Sequence, residues 1–294
     1  MHISEGSLLR SLEAHYELEE AKGLVPISTG RTSDARLLET AQGQQFVLRR
    51  LRSKHQATCE FEISHRTAAN QISPYMLPGQ NENGYIEVQG NIYNLQQYLK
   101  PDKVSVQDKF LQMGNAMGIL HTVLRYTTIQ EQEDRFTLEC SWNTATVSHN
   151  ISDNLKTSLE QYVTACLETQ QRREGIIHAD LGIWNVIFHS SSVYIIDFGE
   201  ARTGDYHLDT AALLTSSISK AWTDQQAASS ISDFKKGYEQ SGVQLEQGLL
   251  LENMILWLVR EAAAVLAEYG ETEQTTNYVN QMMADITKYK RLLG

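Results

Sequence analysis

Three oxygen-bearing side chains, Asp180, Asn185 and Asp197, stand close together in the second half of the chain. They flank two apolar runs, Val186-Ile-Phe188 and Val193-Tyr-Ile-Ile196, separated by turn formers at 189–192. Runs of this length read as two short strands joined by a tight turn. Antiparallel pairing brings Asn185 and Asp197 to the same end of such a ribbon, and leaves Asp180 on the loop leading into it. A carboxylate and an amide are hard oxygen donors of the kind Mg²⁺ accepts, with the rest of its shell left to water and phosphate. A further carboxylate beside them can take a hydroxyl proton and orient the oxygen for attack. Phosphoryl transfer asks for little beyond such positioning and charge neutralisation.

The order His178-x-Asp180-x-x-x-x-Asn185, followed twelve residues on by Asp197-Phe198-Gly199, resembles the catalytic core of the protein-kinase-like superfamily. Within it, the pattern looks like the aminoglycoside phosphotransferase and choline-kinase branch. There the tail after the metal Asp commonly reads Gly-Asp-x-x-x-Asp-Leu-Ala, and this chain has Gly204-Asp205-Tyr-His-Leu-Asp209-Thr-Ala211. The match is strongest over 178–211 and weaker over 24–99. It implies Asp180 as the catalytic carboxylate, Asn185 and Asp197 as Mg²⁺ ligands, His178 as a structural holder of the loop and Asp209 as its brace. It also implies ATP, or GTP, as the phosphate donor.

The same resemblance assigns a nucleotide site in the first hundred residues. Phe46-Val-Leu-Arg49 stands where kinases place Val-Ala-Ile-Lys, so Arg49 takes the place of the lysine that holds the phosphates. Arginine keeps the charge but binds through a planar fork. Its expected carboxylate partner on the next helix is Glu62, with Glu60 as the alternative. Gly30 and Ser33, in Gly30-Arg-Thr-Ser33-Asp34-Ala35, are expected to cover the phosphates. Gln97, in the linker at 96–98, is expected to meet the nucleobase through its backbone.

Two features point to a small acceptor. The position two after Asp180 is Gly182, where protein kinases acting on Ser and Thr carry lysine. Only nine residues separate Gly199 from Asp209, and no Ala-Pro-Glu follows, so a peptide-docking segment is missing. The expected function is therefore transfer of the γ-phosphate to a hydroxyl of a small molecule, of aminoglycoside, amino alcohol, homoserine or sugar type. The alternative is a catalytically inactive nucleotide-binding or interaction protein on the same fold. A cationic acceptor would need carboxylates, for which Glu131, Glu133, Asp134 and Glu139 are candidates. Glu200 reads as a metal contact or as a partner of Arg202 or Arg49. Trp184 reads as a core side chain, with a wall of the acceptor pocket as the other option.

These residues must be held by an α+β fold with two lobes. The expected division is 1–96, an antiparallel sheet with one helix and a leading helix, and 97–294, a helical lobe carrying the catalytic hairpin. A helix is expected over 7–22 ending at Gly23, strands over 36–39 and 45–50, a helix over 57–72, and strands over 84–88 and 92–95. Val106, Phe110, Met113, Met117, Leu120 and Leu124 repeat at helical spacing, with Ser105 as N-cap. Further helices are expected around 155–166, 245–266 and 278–289. The polar stretch 127–154 shows no clear period.

At 294 residues with 41% hydrophobic and 21% charged side chains, the composition is that of an ordinary globular protein. The formal charge of −11 argues against a nucleic-acid partner, which needs clustered Lys and Arg. No apolar run is long enough to cross a bilayer, and the first ten residues carry no signal-peptide pattern. Cys59, Cys140 and Cys166 are widely spaced and read as buried thiols, which suits a cytoplasmic setting. The oligomeric state stays open.

Overall fold

Leu8, Leu12, His15 and Tyr16 form one buried stripe on α1 (Glu5–Tyr16), and that stripe decides where the helix lies. Ser4 makes no side-chain cap bond, which forgoes about 1 kcal/mol, but each buried leucine contributes about 1.5–3 kcal/mol. The helix stops at Tyr16, earlier than expected. Glu17 adopts the left-handed conformation, φ 52°, and Glu13 Oε1 accepts the Ala21 N–H at 2.7 Å, turning the chain into a strand.

The computed structural model describes residues 4–27, 35–130, 132–149, 151–169 and 172–294. The chain forms two units. The first comprises Met1–Val104, Tyr126–Gln132 and Trp184–Ala201; the second comprises Ser105–Arg125, Glu133–Ile183 and Arg202–Gly294.

The first unit is built on an antiparallel five-stranded sheet in the order β1-β2-β3-β5-β4. Its strands are β1 (Ala21–Pro26), β2 (Ala35–Thr40), β3 (Gln45–Leu51), β4 (Ile86–Val88) and β5 (Asn91–Gln97). Leu38, Leu48, Val88, Tyr93 and Leu95 meet Leu8, Leu12 and Tyr16 of α1 in one apolar cluster. Helix α2 (Lys54–Thr67) follows β3, with Ser53 Oγ accepting the Gln56 N–H at 3.1 Å as N-cap. The later hairpin of β7 (Val186–His189) and β8 (Ser192–Ile195) is tied to this unit by two backbone bonds of 2.7 Å, Ile195 N–H to Ile72 O and Asp102 N–H to Phe188 O.

The second unit is mainly helical. A 3₁₀ turn over Val106–Lys109 leads into α3 (Phe110–Leu124), and Ser105 gives it no side-chain cap. The stretch without a readable period holds α4 (Leu138–Asn143), continued by a π turn over Thr144–Ser148. After α5 (Asp153–Glu168) comes β6 (Gly175–Ile177), paired with β9 (Arg202–Gly204). Helices α6 (Tyr206–Ser217), α7 (Asp224–Glu239), α8 (Gln247–Tyr269) and α9 (Glu273–Leu293) complete it. Helix α8 is its centre, with Leu250, Met254, Leu258, Val259, Ala262 and Leu266 buried. Among the described residues no helix is long and apolar enough to cross a membrane. Of the three cysteines only Cys59 is buried; Cys140 is exposed and Cys166 partly so, which corrects the expectation of three buried thiols.

Candidate active site

Alternation along β3 turns Leu48 toward the α1 cluster and Arg49 toward the other side of the sheet. There Arg49 is 7% exposed and doubly paired, Nη1 donating to Glu60 Oε2 and Nη2 to Asp197 Oδ1, each at 2.5 Å. Burial works against the guanidinium charge, but the two carboxylates hold it firmly protonated. The expected partner Glu62 is therefore corrected to Glu60. The buried side of α2 carries Gln56, Glu60, Ile63, Ser64 and Thr67, and a residue two further on from Glu60 points roughly 200° round the helix.

The hairpin pairs Val186 with Ile195 and His189 with Ser192. Ser190 and Ser191 take φ of 49° and 69°, the left-handed pair that a two-residue I′ turn needs. At the open end, the Ile196 N–H donates to the Asn185 carbonyl at 3.0 Å, so Asn185 and Asp197 stand at one end of the ribbon. Asn185 is buried, and the Asp197 side chain is 37% exposed. Asp197 itself has φ 67°, a conformation costly for a non-glycine residue and characteristic of functional loops. One carboxylate and one amide oxygen, with the carboxylate partly open, fit Mg²⁺ in donor chemistry. A Cβ at Gly199 would lie 2.5 Å from Gln56 Nε2, so a larger residue there would have to displace that amide.

Gln97 ends β5, and its N–H donates to the Tyr75 carbonyl at 2.8 Å. The Tyr98 N–H is likewise engaged by Gln45 O at 3.3 Å. The expectation that Gln97 meets a nucleobase through its backbone is thereby narrowed to its carbonyl. Gly30 and Ser33 lie outside the described residues.

In the second unit the loop of Asp180 is pinned from below. Asp209, 1% exposed on the first turn of α6, accepts the N–H of His178 at 2.6 Å and of Ala179 at 2.8 Å. His121 Nε2 lies 3.3 Å from the same carboxylate, and its Nδ1 lies 2.8 Å from the Tyr238 hydroxyl. Burial acts to raise the Asp209 carboxyl. The bond and charge from His121, with the charge and backbone N–H of His178, outweigh it and hold the carboxyl below its ordinary value. Ala179 is in the left-handed region at φ 68°. His178 is fully buried, and its Nδ1 accepts the Asp180 N–H at 3.3 Å. The Gly182 N–H donates to the Asp180 carbonyl at 3.1 Å, closing the loop. Asp180 therefore sits on a segment with its backbone fixed on both sides.

A sequence model of the phosphotransferase enzyme family matches residues 23–247. The chain belongs to that family. Solved structures of the same fold include an amicoumacin kinase in complex with AMP-PNP, Ca²⁺ and its ligand, with TM-score 0.74 and 14% identity over 98% of this chain and 94% of that one. The spectinomycin phosphotransferase APH(9)-Ia, in complex with ADP and spectinomycin, gives 0.66 at 11% identity over 99% and 94%. The choline kinase LicA from Streptococcus pneumoniae gives 0.65 at 14% identity over 96% and 98%. No curated protein sequence matches this chain. The family is one of small-molecule kinases, and two of these solved structures hold adenine nucleotides.

The structure also places the other residues that the sequence singled out. Glu200 pairs with Arg52 at 2.8 Å, and Arg52 also reaches the neighbouring Gly199 carbonyl at 2.9 Å. Trp184 is 54% exposed, which corrects its reading as a core side chain. The 3₁₀ turn Ile183–Asn185 buries Asn185 and leaves the indole at the surface. Asp134 bridges Arg202 at 2.8 Å and Arg260 at 3.1 Å, so its charge is answered within the protein. Glu174, Asp205 and His207 come together with metal-like spacing at the start of α6. Each is committed: Glu174 accepts the Tyr206 N–H, Asp205 caps the His207 N–H and takes its Nδ1, and His207 Nε2 accepts the Glu246 N–H. That cluster is a helix cap.

Glu261 was not foreseen. It lies on α8 beside Arg260, and its only described hydrogen bond of usual geometry is from the Tyr278 hydroxyl, at 3.4 Å to Oε2. Burial pushes its carboxyl up to about 7; Tyr278 and Trp257 oppose the shift, the charge of Asp180 adds to it, and Lys220 weakly opposes it.

Proposed function

We propose that this protein transfers the γ-phosphate of ATP to the hydroxyl of a small molecule that carries a protonated amine. The single observation that carries the reaction class is the Arg49–Glu60 ion pair joined to Asp197, at the hairpin end that also carries Asn185. In this reading Arg49 holds the nucleotide phosphates, and Asn185 and Asp197 hold Mg²⁺, which supplies charge neutralisation for those phosphates. Asp180 accepts the hydroxyl proton as the acceptor oxygen bonds to the γ-phosphorus, and the bond to the departing ADP oxygen breaks. Asp209 keeps Asp180 on station through two backbone bonds.

The amine is inferred from Glu261. A carboxyl on the largely apolar α8, near enough to feel the charge of Asp180 and without an ion pair among the described residues, offers a counter-charge for a cation. A peptide acceptor is disfavoured by the short run after Gly199, where only β9 intervenes before α6 starts at Tyr206.

The test is ADP release from Mg²⁺-ATP against aminoglycosides, amino alcohols, amino sugars and homoserine, each beside its neutral analogue. An amine-bearing acceptor should raise release well above background, and Asp180→Asn should lower it by about 10²–10⁴-fold with nucleotide affinity preserved. Wild-type turnover in Asp180→Asn would remove that residue from its role. Equal rates with the neutral analogues would remove the amine.

A further inference from the structure

Gln56 occupies the third position of α2, after Ser53 as N-cap, where a Ser-x-x-Gln capping box would send its side chain back to the Ser53 N–H. It does not go there. Its amide, 6% exposed, is turned inward, with Oε1 accepting from both the backbone N–H and Nε of Arg52 at 3.1 Å and Nε2 donating to Glu60 Oε1 at 2.7 Å.

These bonds close a ring. From Asp197 it runs to Arg49, to Glu60, to Gln56 and to Arg52, whose Nη2 donates to the Gly199 carbonyl at 2.9 Å and pairs with Glu200 at 2.8 Å. The ring begins at the Asp197 carboxylate and returns to the chain two residues later. It therefore grips both ends of a segment whose first residue holds an unfavourable left-handed backbone. Only a primary amide serves at its centre. A carboxylate there would face buried Glu60 with like charge, and an aliphatic chain would leave Glu60 Oε1 without its donor. A flipped amide would set its oxygen against Glu60 Oε1 and its N–H groups against the Arg52 donors, so one orientation serves.

We propose that Gln56 and Arg52 are positioning residues that set Asp197 for the metal–nucleotide complex. The inference rests on the assignment of Asp197 as a metal ligand. Outer partners of a ligating carboxylate commonly change metal affinity by about 10–100-fold.

The experiment is Mn²⁺ titration followed by electron paramagnetic resonance, with a non-hydrolysable ATP analogue present. Nucleotide affinity without metal is measured in parallel by calorimetry. Gln56→Leu and Gln56→Asn, the latter too short to span Arg52 and Glu60, should weaken Mn²⁺ by about tenfold or more. Metal-free nucleotide affinity should stay close to that of the wild type. If Gln56→Leu fails to fold, Gln56→Asn decides. Mn²⁺ affinity within about twofold of wild type in the folded variant, or an equal fall in both affinities, overturns the proposal. A wild-type protein that binds the nucleotide but no Mn²⁺ would instead overturn the metal assignment on which the proposal stands.

Discussion

Glu261 is half-buried on α8, in the stretch that also carries Leu258, Val259, Ala262 and Ala263, and its carboxyl is pushed up to about 7 chiefly by desolvation. In the unfolded chain it titrates near 4.5. A carboxyl whose folded value is raised binds its proton more tightly in the native state. Its stabilising effect is thus complete below about 4.5 and lost as the pH rises through about 7. The loss amounts to about 3 kcal/mol at most. Glu261→Gln removes it, so wild-type stability relative to the variant should fall between pH 5 and pH 8 in urea titrations. A difference that stays flat with pH would mean that Glu261 is not buried as described. This residue was illegible in the sequence because nothing local marks a lone Glu in an apolar helix as unpaired. Asp180, Asn185 and Asp197 were legible because their spacing along a loop and hairpin is itself the signal. Glu60 and Glu62 could not be told apart without the phase of α2, which the structure supplies through Arg49.

Elements were most readable where one face is apolar throughout, as in α3, and least where caps and backbone geometry decide the boundary. The end of α1 depends on Glu17 in the left-handed region, which no periodicity reveals. The turn over 144–148 sits in a polar stretch whose burial depends on α8. Close helix contact is another case. A Cβ on Gly237 of α7 would meet the Leu111 carbonyl at 2.0 Å, and one on Gly114 of α3 would meet the Phe234 carbonyl at 2.0 Å. Alanine would gain about 1 kcal/mol of helix propensity at Gly237. The clash is with backbone, which cannot swing aside, so overpacking should win. Gly237→Ala is expected to destabilise by about 1–3 kcal/mol in urea unfolding. A neutral or stabilising result would show that α3 and α7 separate readily.

Across the whole molecule, solved structures only 11–14% identical retain the fold over nearly the full length of both chains. What persists at that distance is the topology. The α+β reading of the sequence was therefore recoverable from a few motifs, and the acceptor was not. The net charge of −11 works against an anionic nucleotide at long range. In the proposed function local cations such as Arg49 do the holding, and a cationic acceptor meets a favourable field. The most direct test of the account is phosphorus NMR of a reaction of Mg²⁺-ATP with the amine-bearing acceptor that best raises ADP release. A new phosphate-ester resonance growing with ADP, and absent with Asp180→Asn, is the predicted result. ADP accompanied only by inorganic phosphate, with or without acceptor, would contradict transfer to a hydroxyl and leave an ATP hydrolase in its place.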